Sequence, residues 1–290
     1  MDTERTYGEI ASQAREALQS VDRVPGARKP DPILTADNIR REFGGIVAVD
    51  VDHFEVQKGS ITALIGPNGA GKTTFFNLLT GFDQPNSGQW NFNGKEMNGV
   101  ASHRTAALGM VRTFQLTKSL TKLSVIENMR LGATDQKGEK WWNGLFAAVW
   151  KGQEAEITRR ADELLTRFKM DHMRDEYAGS LSGGQRKLLE MARALMTNPT
   201  LVMLDEPMAG VNPALKQSLN QHIRGLRDDG MTVLFVEHDM DMVHDISDWV
   251  IVMAEGRIIA EGTPDDISSN PAVIDAYLGT RQGQSLLEGE

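Results

Sequence analysis

The feature that most constrains this 290-residue chain is a glycine-rich segment, GPNGAGKTT, at residues 66–74. The apolar stretch before it, SITALI at 60–65, predicts a buried strand, and a helix is predicted from about Gly71. Between a strand and a helix, G-x-x-x-x-G-K-T predicts a loop whose N–H groups surround phosphate oxygens, rather than an ordinary glycine-rich turn. Lys72 is predicted to reach the β- and γ-phosphates, and the Thr73 hydroxyl to ligate Mg²⁺. The predicted nucleotide-binding residues of this loop are Gly66, Pro67, Asn68, Gly69, Ala70, Gly71, Lys72, Thr73 and Thr74.

A second constraint is the segment LVMLDEP at residues 201–207. Its apolar run predicts a central parallel strand, and the carboxyl end of such a strand is where open α/β sheets bind ligands. Asp205 is predicted to hold the water shell of Mg²⁺, as a Walker-B aspartate does. Glu206 is predicted to polarise the attacking water. The alternative, a solvated acidic turn, is disfavoured by the phosphate loop earlier in the chain.

Two single residues follow other predicted strands. His238 comes after MTVLFV, residues 231–236, and is predicted to hydrogen-bond the γ-phosphate and the attacking water. Gln115, in VRTFQ, is predicted to ligate Mg²⁺ and to sense the γ-phosphate. A lone histidine is usually a surface or satisfied residue, and a lone glutamine carries almost no signal. Both assignments therefore depend on order and spacing along the chain.

The pentapeptide LSGGQ at residues 181–185 precedes a helix predicted from about Gln185 to Thr197. With the phosphate loop, LDEP and the two single residues in this order, the chain resembles the nucleotide-binding subunit of ABC transporters over roughly residues 33–280. The resemblance implies an α/β fold, with an ABC-type P-loop ATPase core, an antiparallel β-subdomain and an inserted α-helical subdomain at about 116–190. It implies ATP and Mg²⁺ as cofactors.

The same resemblance implies a head-to-tail dimer. In it, Ser182, Gly183 and Gly184 of one chain face the γ-phosphate bound to the other, and Gln185 belongs to the same contact. A helix N-terminus suits this role because its free N–H groups attract an anion. Phe43, in EFGG, lies where the family stacks an aromatic ring on adenine, although a phenylalanine before two glycines is as often a core residue.

Several further stretches narrow the resemblance: GMVRTFQ, SVIENM, MAGVNP, VEHDMDMV, ISDWVIVM and GTPDDISSNPAVIDAYLG. They are similar to the ATPase subunits of importers of branched-chain amino acids and of related amide and urea solutes. A longer insert at 134–150 resembles the larger of the two ATPases that serve one such importer. The implied partners are a second ABC ATPase subunit, two membrane permease subunits and, indirectly, an extracytoplasmic solute-binding protein.

Two alternatives remain at this point. Relatives that drive lipopolysaccharide extraction share the short format and the Y-L-G ending, but RTFQ and the longer insert favour the importer. ABC ATPases that act as clamps in DNA repair insert long coiled coils before LSGGQ, and the segment between Lys72 and Ser182 is too short for one.

Composition sets further limits. The chain has no cysteine, which excludes disulfides and cysteine-based metal sites. Its apolar runs, such as WVIVMA, are far shorter than the roughly 18 residues that indicate a membrane span. MDTERTYGEI at the N-terminus lacks the apolar region of a secretory signal. A net charge of −9 argues against nucleic acid as a ligand. We therefore expect a peripheral protein at the cytoplasmic face of the membrane.

The remaining organisation follows from local patterns. Residues 1–32 are predicted to form a leader, with a helix at 9–21 and a proline-rich linker, and residues 281–290 a tail. Residues 33–58 and about 87–95 are predicted to form short strands of the β-subdomain.

Two apolar stripes allow two interpretations each, core or partner-facing. The first stripe consists of Ile157, Ala161, Leu164, Leu165 and Phe168. For this stripe the core interpretation is favoured. The second lies in KWWNGLFAAVW, residues 140–150, where packing on the helical subdomain is favoured over docking to a membrane subunit or the bilayer interface.

Overall fold

The computed structural model describes residues 7–113, 118–133 and 147–278. The predicted ligand Gln115 and most of the tryptophan-rich segment lie outside these residues. The helices are α1 Tyr7–Gln19, α2 Lys72–Leu79, α3 Ser102–Ala107, α4 Val125–Leu131, α5 Ala147–Arg167, α6 Gly183–Ala194, α7 Pro213–Asp228, α8 Met240–Ile246 and α9 Pro264–Ser268, and residues 271–278 are also helical. The strands are β1 Pro32–Phe43, β2 Ile46–Gln57, β3 Ile61–Ile65, β4 Ser87–Phe92, β5 Lys95–Glu96, β6 Met110–Arg112, β7 Leu201–Asp205, β8 Thr232–Val236, β9 Trp249–Ala254 and β10 Arg257–Gly262.

A six-stranded sheet forms the centre of the fold, in the order β10-β9-β3-β8-β7-β6. Its strands pair in parallel except for the edge strand β10, which is antiparallel to β9. The strands β3 and β8 are buried along their whole length, because helices cover both faces of a parallel sheet. The segments that follow β3, β7 and β8 therefore meet at one edge of the sheet, and they carry the predicted phosphate loop, carboxylates and histidine.

A second sheet is antiparallel, with the order β2-β1-β4-β5, and matches the predicted β-subdomain. The prediction of short strands at 33–58 is wrong, since β1 and β2 have 12 residues each. The pairing of β1 with β2 shifts register at Pro32/Leu34 and Arg41/Glu42. Such shifts interrupt the alternation of apolar and polar residues, so the sequence pattern does not show the full length of the strands. Phe54 of β2 packs edge-on against Phe75 of α2 at 4.9 Å, so this sheet supports the helix that follows the phosphate loop.

The described helical insert comprises α4, α5 and the beginning of α6. The stripe on α5 is confirmed as core, because Ala161, Leu165 and Phe168 are buried. Helix α6 begins at Gly183 instead of about Gln185, and a 3₁₀ turn at Leu195–Thr197 ends it. The earlier start is explained by a capping box between Ser182 and Gln185, which fixes a first turn that contains two weak helix formers.

The predicted N-terminal leader is anchored to the rest of the fold. Helix α1 buries Leu18, and Ala27 from the predicted linker also joins the core. The Lys29 ammonium forms an ion pair with Glu261 of β10, and both side chains are only 1% exposed. Glu261 also accepts hydrogen bonds from the Ala27 N–H at 2.6 Å and the Trp249 Nε1–H at 2.9 Å. Burial lowers the pKa of Lys29, which the neighbouring Glu261 carboxylate opposes.

Glu261→Gln is expected to lower the free energy of unfolding by about 3 kcal/mol, because breaking a buried ion pair leaves the partner charge uncompensated. Urea unfolding followed by circular dichroism measures the change. The double variant Glu261→Gln with Lys29→Met is the control, and it should recover most of the loss because neither charge remains. Equal losses in the single and double variants would contradict a role for the charge pair.

Within residues 7–113, 118–133 and 147–278, no helix combines the length and apolar character needed to cross a membrane.

Candidate nucleotide site

The phosphate loop is held between two other segments by close backbone contacts. Gly66 has φ 149°, and a Cβ there would lie 2.0 Å from the carbonyl oxygen of Met253 in β9. Gly71 has φ 94°, and a Cβ there would lie 2.3 Å from the carbonyl oxygen of Ala48 in β2. Side chains at these two positions would push the loop off its supports, so the glycines are required by the path of the backbone.

Lys72 begins α2 and folds back over the loop. Its ammonium donates hydrogen bonds to the carbonyl oxygens of Gly66 at 2.7 Å and Pro67 at 2.9 Å. Burial lowers the pKa of Lys72, and the nearby carboxylate of Glu206 opposes that effect. The lysine is thus close both to the loop and to the acidic end of β7.

The loop fits the phosphates of a nucleotide. A Cβ added at Gly69 would meet no atom within 4 Å, so the outer side of the loop is open. Asn68 and Gly69 are exposed, and Ala70 is buried beneath them. Thr73 is exposed in the first turn of α2, followed by the half-buried Thr74. A cation, an open backbone turn and a helix N-terminus together form the donor set that phosphate oxygens require.

The two predicted carboxylates lie at the end of β7. Asp205 is half-buried, and its Oδ2 accepts a hydrogen bond of 2.5 Å from Arg112 Nη2. Glu206 is exposed and has φ 46°, and its N–H donates to the carbonyl oxygen of Val236 at 3.0 Å. A left-handed backbone is uncommon for a non-glycine residue and tends to occur at functional sites. This backbone conformation turns the chain at Glu206, so the side chain of Asp205 is half-buried and that of the next residue is exposed.

His238 is placed near this edge by the pairing of β7 with β8, in which Asp205 lies opposite Val236. Its side chain is 66% exposed, with Nδ1 3.6 Å from Glu237 Oε2. The Glu237 side chain is buried and accepts hydrogen bonds from the N–H groups of Met208 at 2.8 Å and His238 at 3.0 Å. Glu237 therefore joins the loops that follow β7 and β8, which carry Glu206 and His238.

Phe43 lies at the end of β1, in the hairpin where it pairs with Ile46. Its side chain is 48% exposed, so the core interpretation does not apply. The guanidinium of Arg41 lies 4.5 Å from the centre of the ring. The same hairpin leads to Ala48, which touches Gly71, so this exposed ring is near the phosphate loop.

The LSGGQ segment exposes only some of its residues. Ser182 and Gly183 are exposed, whereas Gly184 is buried against Leu215 of α7. The Ser182 hydroxyl accepts from the Gln185 N–H at 3.3 Å, and the Gln185 side chain accepts from the Ser182 N–H at 2.8 Å. Gln185 thus caps its own helix, which leaves Ser182 and Gly183 as the exposed residues of this turn.

The structure brings together the loop 66–74, Asp205, Glu206 and His238, and the hairpin that carries Phe43 contacts the loop at Gly71 through Ala48. The roles assigned to these residues, to LSGGQ and to Gln115 remain predictions.

Three residues that the sequence did not indicate belong to the surroundings of the site. They are Glu237, Arg112 and Glu190. A cavity of about 140 Å³ is lined by Arg112, Glu190 and Arg193, among others. Burial raises the pKa of Glu190 to about 7. The only sequence signal for Arg112 and Glu237 is a charged residue at the end of an apolar strand.

Comparison with protein families gives two matches. The model described as ABC transporter matches residues 49–209. The model described as branched-chain amino acid ATP-binding cassette transporter matches residues 257–282.

Individual relatives agree with these matches. The chain is 42% identical over 252 residues to the "probable branched-chain amino acid transport ATP-binding protein LivG" of Archaeoglobus fulgidus, covering 87% of this chain and 97% of that protein. It is 40% identical over 250 residues to the high-affinity branched-chain amino acid transport ATP-binding protein BraF of Pseudomonas aeruginosa, covering 86% and 98%. A solved ATP-binding cassette of an ABC transporter in its ADP conformation is 38% identical, with a TM-score of 0.75, covering 86% of this chain and 99% of that chain. The predicted family resemblance and fold class are confirmed.

Proposed function

The chain belongs to the ATP-hydrolysing subunits of ABC transporters, in their branched-chain amino acid branch, and from this premise we propose its role in transport. It powers an importer of branched-chain amino acids or of related amino acid, amide or urea solutes. The observation that carries the solute class is the match of residues 257–282 to a branched-chain amino acid cassette. The lipopolysaccharide extractor and the non-transport clamp have no comparable support.

ATP is held mainly by the loop 66–74. The Lys72 ammonium already lies over the loop on two carbonyl oxygens, and we assign it to the β- and γ-phosphates. The exposed ring of Phe43, which the Arg41 guanidinium already contacts, is assigned to stack on adenine. These contacts bind and orient the nucleotide, which is the main contribution of a protein to phosphoryl transfer.

Mg²⁺ is assigned to the Thr73 hydroxyl, the Asp205 carboxylate through water, and the predicted ligand Gln115. Oxygen donors of this kind fit Mg²⁺, which keeps several waters and takes few protein ligands. When bound, the ion neutralises charge on the phosphate oxygens. Glu206, exposed at the end of β7, accepts a proton from the attacking water, and His238 orients that water.

Closure of the site requires a second ABC ATPase subunit. The exposed Ser182 and Gly183, at the N-terminus of a 12-residue helix, are suited to the γ-phosphate bound by the partner. We propose that the pair acts on two membrane permease subunits at the cytoplasmic face of the membrane. An extracytoplasmic solute-binding protein delivers the solute, so this chain does not contact it.

The test is reconstitution of the complete complex in lipid vesicles. ATP hydrolysis is expected to rise when the solute-binding protein is supplied with leucine, because solute delivery is coupled to closure of the ATPase pair. A complex that carries Lys72→Ala is the control and should not respond. A rate of ATP hydrolysis that does not change with leucine, amides or urea would contradict the proposed transport role.

A further inference from the structure

Arg112, the last residue of β6, has a buried side chain that contacts Asp205 of the predicted Mg²⁺ site. Its side chain is 7% exposed, and its Nη2 donates to Asp205 Oδ2 at 2.5 Å, where Asp205 is 29% exposed. The strands place the two residues side by side, because β6 runs parallel to β7 with Arg112 opposite Met203. A buried guanidinium therefore holds the carboxylate at the edge of the sheet.

The second anchor of Arg112 lies on the helix of the phosphate loop. Its Nη1 donates to Asn77 Oδ1 at 2.7 Å. Asn77 is four residues after Thr73 in α2, so the two side chains lie on one face of the helix, one turn apart. Arg112 thus connects the helix that carries Thr73 to the strand that carries Asp205.

Two aromatic rings restrict the guanidinium further. Its central carbon lies 5.5 Å from the ring centre of Phe76 and 6.0 Å from that of Phe82. A planar fork with a hydrogen-bond acceptor at each terminal nitrogen and with flanking rings is held in one orientation, which a flexible lysine ammonium would not keep.

We propose that Arg112 is a positioning residue for Mg²⁺, because it sets the Asp205 carboxylate at a fixed place relative to Thr73. The inference rests on the proposed role of Asp205. Arg112 bonds to Oδ2, and a carboxylate has a second oxygen with lone pairs for a metal-bound water. Hydrogen-bonded partners behind a metal-binding carboxylate commonly tune metal affinity.

A purely stabilising role is the alternative explanation of the Arg112–Asp205 pair. A buried ion pair is weak evidence for stability, since apolar residues of similar volume are often as stable. Another arginine–aspartate pair serves for comparison: Arg227 Nη1 lies 2.9 Å from Asp248 Oδ1, with exposures of 10% and 6%. Asp248 precedes β9, at the end of the sheet opposite to the phosphate loop. Arg227 is therefore a matched control that has the same chemistry away from the nucleotide.

The experiment measures binding of a non-hydrolysable, ribose-labelled fluorescent ATP analogue to the purified full-length chain. Each variant is titrated with Mg²⁺, and binding in EDTA is measured separately. Arg112→Met is expected to raise the Mg²⁺ concentration for half-maximal enhancement about 10-fold or more. Binding in EDTA should stay close to that of the parent chain, because the phosphate loop is intact. Arg227→Met should leave both values unchanged.

Two milder variants keep the test decisive if Arg112→Met fails to fold. Arg112→Lys retains the charge without the fork, and Asn77→Ala removes the tether to α2, so both should raise the Mg²⁺ requirement by a smaller factor. An unchanged Mg²⁺ requirement in the folded Arg112 variants would overturn the proposal, and so would a lowered one, which would make Arg112 a competitor of the metal. If the parent chain itself binds the analogue without any Mg²⁺ enhancement, the proposed Asp205 site fails and the Arg112 proposal fails with it.

Discussion

Glu206→Gln is expected to bind ATP as the parent chain does and to lose about 10²–10⁴-fold in the rate of hydrolysis, the usual contribution of a general base. The amide keeps the shape of the carboxylate but cannot accept the proton of the attacking water. Because Glu206 is exposed and its backbone is fixed by the bond to Val236, the substitution leaves the loop after β7 in place. Steady-state hydrolysis by the assembled complex, beside equilibrium binding of ATP to the isolated chain, measures the two effects separately.

Glu255→Gln is the matched control. Glu255 is also an exposed glutamate with a left-handed backbone, φ 50°, and it follows β9, another strand of the same sheet. Its substitution should leave hydrolysis unchanged. A Glu206→Gln complex that hydrolyses ATP at nearly the parent rate would show that the base lies elsewhere.

The parts of the site that the sequence predicted are those fixed by local chemistry. The loop 66–74 specifies its own backbone path, since Gly66 and Gly71 occupy positions where only glycine fits. The strands β7 and β8 were predictable because buried parallel strands are continuous apolar runs. Each prediction of this kind needs only a short window of sequence.

The contacts that escaped prediction join residues far apart in the chain. Arg112 and Asp205 are 93 positions apart and meet only because β6 and β7 are neighbours in the sheet. Lys29 and Glu261 are 232 positions apart, so nothing local in the leader indicates that it is anchored. Strand order and ion pairing are properties of the assembled sheet, and a single sequence taken by itself contains no direct signal for them.

Ser182→Arg tests whether this chain completes the site of its partner. The isolated chain should bind ATP with nearly parent affinity, because the exposed Ser182 belongs to the N-terminus of α6 and the phosphate loop is unchanged. Hydrolysis by the assembled complex should fall to a small fraction of the parent rate. The long cationic side chain would occupy the place where the helix N-terminus meets the γ-phosphate of the other subunit, and it would prevent closure.

Ser124→Arg is the control for the structural part of this change. Ser124 caps α4 through the same capping box, formed with Glu127, so its loss should cost a similar amount of stability, about 1 kcal/mol. Both variants should therefore show similar, small decreases in thermal stability, and only Ser182→Arg should reduce hydrolysis to a small fraction of the parent rate. A strong loss of ATP affinity in the isolated Ser182→Arg chain would instead place this serine at the nucleotide of its own subunit. Equal losses of hydrolysis in both variants would mean that capping of the helical insert, and not contact with the partner's nucleotide, is what the serine contributes.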